Sequence, residues 1–116
     1  MTEQSYTTTP PERSVIDASL GFLVLEFGTG WCGWCRAAQP MLNAAFDKHP
    51  DVSRLRVEDG PGRPLGRSFK VKLWPTLIFL NDGQEITRVV RPADAATIEV
   101  AFDHLFAAGR GDSERG

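Results

Sequence analysis

With 116 residues, the chain is long enough for one domain to bury roughly two-thirds of its unfolded surface. Hydrophobic residues make up 41% and charged residues 24%, an ordinary globular mixture that excludes disordered and fibrous classes. A formal charge of −2 leaves no electrostatic footprint for nucleic acid or an anionic membrane, and no stretch reaches the ~18 apolar residues of a span, so neither partner is expected.

Residues 1–10 read as a polar leader, in which Tyr6 could tack a short edge strand, about Ser5 to Thr8, onto the domain. No basic segment followed by an apolar one precedes the domain, so the sequence predicts no signal peptide and, by default, a cytoplasmic protein. Pro10-Pro11 suits a first helical turn, and Val15, Ile16 and Leu20 predict a brief helix from about Pro11 to Ala18. Leu20 to Phe27 carries apolar residues on both parities, the pattern of a central strand covered on both faces. Glu26 is its anomaly: the carboxyl lies either at a frayed strand end or inside, next to the thiols that follow.

After the turn Gly28-Thr29-Gly30, apolar residues Ala37, Ala38, Met41, Leu42 and Ala45 recur at helical spacing, with Cys32 and Cys35, the only cysteines, at the start. Two thiols so close can form a small disulfide and reopen it. Such a ring removes little chain entropy, so its value is chemical rather than structural. Cys32 falls in the first turn, where free backbone N–H groups and the helix dipole favour thiolate. Cys35, one turn inside, should be the more covered. An exposed attacking thiol backed by a resolving one is what dithiol exchange needs. Pro40 should kink the helix. His49, beyond it, reads as a surface residue near the helix end.

Val52, Leu55 and Val57 mark a second strand, with Arg54 and Arg56 alternating among them, before the turn-rich Glu58-Asp59-Gly60-Pro61-Gly62. Leu65 and Phe69 anchor a short helix within Gly62 to Lys70. In Trp74-Pro75-Thr76-Leu77-Ile78-Phe79-Leu80, the proline cannot donate to a ladder, so it must start the strand or sit at an irregularity. Asn81-Asp82-Gly83 signals a hairpin into a strand from about Glu85 to Val90. Asp94 then caps a helix in which Ala95, Ile98, Ala101, Phe102, Leu105 and Phe106 form the apolar stripe; it should close the sheet's far face, with His104 packed or on the surface. Residues 109–116 read as a disordered polar tail. The histidines lie 14 and 69 residues beyond Cys35 with no second paired motif, which argues against a metal site.

Three features in order, Trp31-Cys32-Gly33-x-Cys35, then Pro40, then Trp74-Pro75-Thr76 opening an apolar strand, resemble the thioredoxin family over roughly residues 12 to 108. The resemblance implies an α/β domain over residues 11–108 with the thioredoxin fold: a central mixed sheet of four to five strands flanked by helices on both faces. It implies a thiol-disulfide oxidoreductase, a monomer that reduces protein disulfides by Cys32 thiolate attack and Cys35 resolution. The redox-active Cys32–Cys35 disulfide stands in place of any cofactor, and a thioredoxin-reductase-like protein would supply electrons.

The resemblance also implies that Pro75 is cis and packs against the disulfide, where the flanking backbone pairs with an incoming peptide in strand fashion. Glu26 matches a buried Asp that assists proton transfer to and from the resolving thiol; burial would favour its acid form, and Arg56, about where the family often has a lysine, would oppose that if it points the same way. Trp31, Gly33, Trp34, Trp74, Pro75 and Arg91 make up the implied substrate-binding surface. Three of these depart from the family pattern: Trp34 replaces the usual proline, Trp74 a smaller residue and Arg91 a glycine. A less reducing pair with a narrower partner range is expected. The competing readings are a thioredoxin-fold interaction module and a dedicated-partner oxidase or isomerase; the module would keep its function with both cysteines replaced by serine.

Overall fold

The computed structural model describes residues 5–110. Along the chain run α1 (Arg13–Asp17), β1 (Phe22–Gly28), α2 (Gly33–Asp47), β2 (Ser53–Glu58), α3 (Pro64–Ser68), β3 (Thr76–Asn81), β4 (Gln84–Val90) and α4 (Ala95–Gly109). The four strands form one sheet in the order β2-β1-β3-β4. β1 and β2 are parallel, which requires a crossover, and α2 is that crossover. The other two pairs are antiparallel, and Asp82 and Gly83, both at positive φ, supply the tight turn between β3 and β4 that the sequence signals.

Side-chain alternation divides the core in two. On one face Val24, Leu77, Phe79 and Val89 meet Ala38, Leu42 and Phe46 of α2 and Ile98, Ala101, Phe102 and Leu105 of α4. On the other, Leu25, Phe27, Ile78 and Leu80 meet Ile16 of α1 and Leu65 of α3, with Phe69 just beyond. α4 therefore shares the face of α2 instead of closing the opposite one, and the two short helices cover the latter. Periodicity shows that α4 has an apolar stripe but not which side of the sheet receives it.

Other differences have local causes. β1 begins at Phe22, because Gly21 at φ +84° turns the chain and leaves Leu20 87% exposed. His49 is half-buried rather than superficial: its ring stacks 4.3 Å from Phe102 and 5.2 Å from Phe106, and its Nε2 meets Glu99 Oε1 at 3.1 Å. Gly109, expected in the tail, is the last residue of α4 and packs so closely on the Phe22 ring that a Cβ there would collide with it. Arg110, also expected in the tail, is the C-cap of α4, while positions 111–116 and residues 1–4 of the leader lie outside the described residues. The expected edge strand is reduced to a single parallel bridge, Thr7 to Val57. Pro40 lies within α2, which runs through it from Gly33 to Asp47, and Asp94 caps α4 by accepting the Thr97 N–H at 2.9 Å.

Candidate active site

β1 ends where α2 begins, so the strand delivers the chain through Thr29 and Gly30 to the first turn of the helix. Cys32 is the N-cap of α2, and its Sγ accepts the backbone N–H of Cys35 at 3.2 Å. One of the helix's free donors is thus spent on that sulfur. Both cysteines are free thiols. Cys32 is 6% exposed and Cys35 1%, so the expected order holds, but Cys32 is far from open. Its capping geometry turns the sulfur toward the helix instead of outward. Burial, and then the hydrogen bond to Cys32, push the Cys35 thiol up to about 11, against a backbone hydrogen bond from Thr29 that lowers it.

Pro75 is buried and follows a cis Trp74–Pro75 peptide. The register pairs Thr76 with Phe27, which sets Pro75 at the sheet end from which the chain departs toward Cys32. Trp74 and Trp31 meet edge to face at 5.6 Å, joining that strand end to the cysteine loop. Trp74 Nε1 also donates to Asp59 Oδ2 at 2.9 Å. Arg91, at φ +48°, donates its N–H to the Pro75 carbonyl at 2.9 Å and its Nε to the Trp74 carbonyl at 2.8 Å. Its guanidinium then lies 4.7 Å above the Trp34 ring, a cation–π contact. So four of the expected surface residues, Trp31, Trp34, Trp74 and Arg91, form one rim with Pro75 beneath it. Gly33 starts α2 beside them, and a Cβ there would meet nothing.

Glu26 is inside, fully buried in the middle of β1, which removes the alternative of a frayed end. Arg54 Nη2 is 2.7 Å from its Oε1, and Arg54 Nε donates to the same atom at 2.8 Å. Arg56 Nε and Gln39 Nε2 donate to Oε2 at 3.2 and 3.0 Å. The parallel register sets Glu26 beside Arg56 and Val24 beside Arg54, so both arginines of one strand face point at one carboxylate. Gln39 also donates to the Cys35 carbonyl at 3.3 Å, linking the ionic cluster to the dithiol helix.

Four residues at the site were not expected there from sequence: Tyr6, read only as an edge-strand anchor, Thr29 and Asp59, read only as turn residues, and Gln39. Tyr6 had the one available signal, a lone aromatic in a polar leader. Among the described residues, no group of three His, Cys, Asp or Glu side chains could hold a metal ion, and no helix is long and apolar enough to cross a membrane.

A mixed sheet whose first strand feeds two thiols onto a helix start, with a cis proline opening a neighbouring strand at the same sheet end, defines a dithiol protein of the thioredoxin-fold class. Comparison with known proteins carries this further. The family model described as Thioredoxin matches residues 6–104, and the chain belongs to the thioredoxin family. Among solved structures, reduced thioredoxin 2 from Pseudomonas aeruginosa PAO1 is 53% identical, with a TM-score of 0.82 over 90% of this chain and 96% of that one. Thioredoxin NaTrxh from Nicotiana alata is 28% identical, with a TM-score of 0.64 over 75% of each chain. Thioredoxin H2 of Arabidopsis thaliana is 32% identical over 75 residues, 65% of this chain and 56% of that protein. Thioredoxin H-type of Fagopyrum esculentum is 31% identical over 68 residues, 59% of each. The match thus spans little more than half the length of these curated relatives.

Proposed function

We propose that this chain is a thiol-disulfide oxidoreductase that reduces disulfides in partner proteins. The observation that carries the reading is the capping geometry: Cys32 Sγ receives an N–H at the start of α2, with Cys35 one turn behind it and nearly sealed from solvent. Cys32 thiolate attacks one sulfur of the partner's disulfide, a mixed disulfide forms, and the other sulfur leaves as thiolate. Cys35 then attacks Cys32, releasing the partner's second sulfur and closing the Cys32–Cys35 disulfide. A thioredoxin-reductase-like donor returns both thiols to the reduced form. In this reading the protein is a cytoplasmic monomer that needs no cofactor beyond its own disulfide.

Trp31, Trp34, Trp74 and Arg91 form the docking rim, with Gly33 and Pro75 shaping the approach to Cys32. Trp31 and Trp34 are 75% and 58% exposed, an apolar surface of the kind that docks a partner. Arg91 already occupies the Trp74 carbonyl, so an incoming backbone must share that atom with its guanidinium or displace it. That contact favours a narrow partner range over a general one. Glu26 has both oxygens engaged by Arg54, Arg56 and Gln39; its part is to hold the two cations beneath α2, and carrying a proton would require giving up one of those contacts.

The test is a coupled assay with NADPH, a thioredoxin reductase and a disulfide protein such as insulin. Wild-type protein should consume NADPH, and a Cys32→Ser/Cys35→Ser double variant should not. Activity retained by the double variant would favour an interaction module. A second expectation concerns poise: with Trp34 between the thiols in place of a rigid proline, the reduction potential should lie above the ~−270 mV of thioredoxin. Equilibration against glutathione buffers measures it, and a value at or below that figure contradicts the expectation.

A further inference from the structure

Next to Cys35 lies a cleft of about 410 Å3, lined in part by Tyr6, Thr29, Arg36, Gln39, Arg56 and Glu58, and the exchange chemistry above makes no use of Tyr6. The placement of that residue is built. Thr7 is pinned to β2 by two backbone hydrogen bonds, its N–H to the Arg56 carbonyl at 2.8 Å and its carbonyl from the Glu58 N–H at 2.9 Å. The preceding ring therefore lies on the Arg56 guanidinium, 4.0 Å from carbon to ring centroid, and Arg56 is itself fixed on Glu26. The consequence shows at Gly28. A Cβ on that residue would sit 2.6 Å from Cys35 Sγ and 2.9 Å from Tyr6 Oη, so sulfur and hydroxyl share the space the glycine leaves open. Tyr6 Oη is buried and makes no hydrogen bond among the described residues. A buried donor in that state gains free energy from any acceptor that arises beside it.

We propose that Tyr6 is the hydrogen-bond donor to the Cys35 thiolate during resolution of the mixed disulfide. The proposal rests on the dithiol-exchange reading. In the step itself, Cys35 loses its proton to solvent admitted by the cleft, and its Sγ forms a bond to Cys32 Sγ. The bond from Cys32 to the partner's sulfur breaks, and that sulfur leaves with the electron pair and takes up a proton from water. Both cysteines are oxidised, the partner is reduced, and no other reagent is consumed. The phenol proton stays on Tyr6 throughout.

The electrostatics agree. Burial, then the charge of Glu26, hold the Tyr6 hydroxyl far above the usual phenol range, so it remains a donor wherever the exchange runs. Of the causes that raise Cys35, the hydrogen bond and charge of Cys32 depend on a Cys32 sulfur that is free, and these end once it is bonded to a partner. Burial then opposes ionisation against two groups, the Thr29 backbone and the Tyr6 hydroxyl. Among the described residues, the charged and titratable groups around this cleft are Cys32 at the N-cap of α2, Arg36 within it, Glu26 of β1, and Arg56 and Glu58 of β2. Arg56 is committed to Glu26, and Glu58 to Arg63 at 2.7 Å.

Tyr6→Phe keeps the ring on Arg56 and removes only the hydroxyl. With the aromatic disulfide dye dithiobis-nitrobenzoate, Cys32 attack releases one dye thiolate and Cys35 resolution releases the second, so the two steps are timed separately in stopped flow. The expected result is an unchanged first release and a second release slowed about threefold to tenfold, because a more basic thiol is scarcer as thiolate although more nucleophilic. In the Cys32→Ser background, the Cys35 Cβ resonance followed by NMR should titrate at higher pH when Tyr6→Phe is added. An unchanged second release, equal slowing of both releases, or an unmoved Cys35 titration overturns the proposal. A wild-type chain that releases no dye fails the exchange reading and takes this step with it, whereas normal wild-type release beside an unaffected Tyr6→Phe fails the tyrosine alone.

Discussion

Glu26→Ala will cost the fold about 3–5 kcal/mol, read as a lowered urea midpoint with an unchanged m-value. The reasoning is asymmetric. The carboxylate is fully buried, and it faces Arg56, 5% exposed, and Arg54, whose side chain is 11% exposed. Removing it deprives two buried guanidiniums beneath α2 of the carboxylate they share, and breaking a buried charge cluster from one side is expensive. Removing Arg56 alone should cost less, because Arg54 still holds Glu26 through two donors on Oε1. Added salt should not mimic either change, since buried pairs are poorly screened. With ordinary domains stable by only ~5–15 kcal/mol, that loss is a large share of the total. A loss under ~1 kcal/mol would show that the cluster relaxes or hydrates and that Glu26 does not hold it.

The same substitution reaches the chemistry. Arg56 is the platform on which Tyr6 rests, and Glu26 fixes Arg56. A Glu26 variant that still folds should therefore slow dithiol resolution as Tyr6→Phe does, through loss of position rather than loss of a hydroxyl. Stability and reactivity meet in one strand pair.

That strand pair also marks where the sequence stops being informative. The alternation of Arg54 and Arg56 with apolar residues places both on one face of β2, but parity does not say which face, nor which residue of β1 lies alongside. Only the parallel register, set through the α2 crossover, pairs Glu26 with Arg56. Cys32 and Cys35, by contrast, lie within one helical turn, so local spacing and the strand-turn-helix pattern suffice to place them. Pro75 and the hairpin at Asp82-Gly83 are legible for the same reason, because each is a local backbone constraint. Tyr6 is the opposite case. It sits in a segment with little secondary structure, and its position comes from two backbone hydrogen bonds to a strand about fifty residues away in the sequence. The face chosen by α4 and the burial of His49 likewise depend on aromatic packing among Phe46, Phe79, Phe102 and Phe106, contacts between elements that no single segment encodes.

Cys35→Ser should halt the exchange at the mixed disulfide, while Cys32→Ser should prevent that species from forming. The two outcomes differ because the thiols have different access and different work: Cys32 caps the helix, and Cys35 lies behind it at 1% exposure. Mass spectrometry under non-reducing conditions distinguishes them, showing a partner adduct for the first variant and none for the second. Multiple-turnover reduction by Cys35→Ser should fall by ~10²-fold or more, because an external thiol must replace one held at high effective molarity in the same helical turn. In the wild type, resolution should speed up with rising pH and level off below the about 11 of the free dithiol, since only thiolate attacks, burial still holds Cys35 protonated, and the hydrogen bond and charge of Cys32 no longer do so in the mixed disulfide. The same shift carries a stability term of fixed sign. Between its ordinary 9.0 and about 11, the unfolded chain gives up the Cys35 proton while the fold keeps it, so this contribution is present below 9.0 and is lost as pH rises through that window. Cys35→Ser removes both dependences at once. If its adduct instead resolves at the wild-type rate, the attack on Cys32 comes from somewhere other than Cys35.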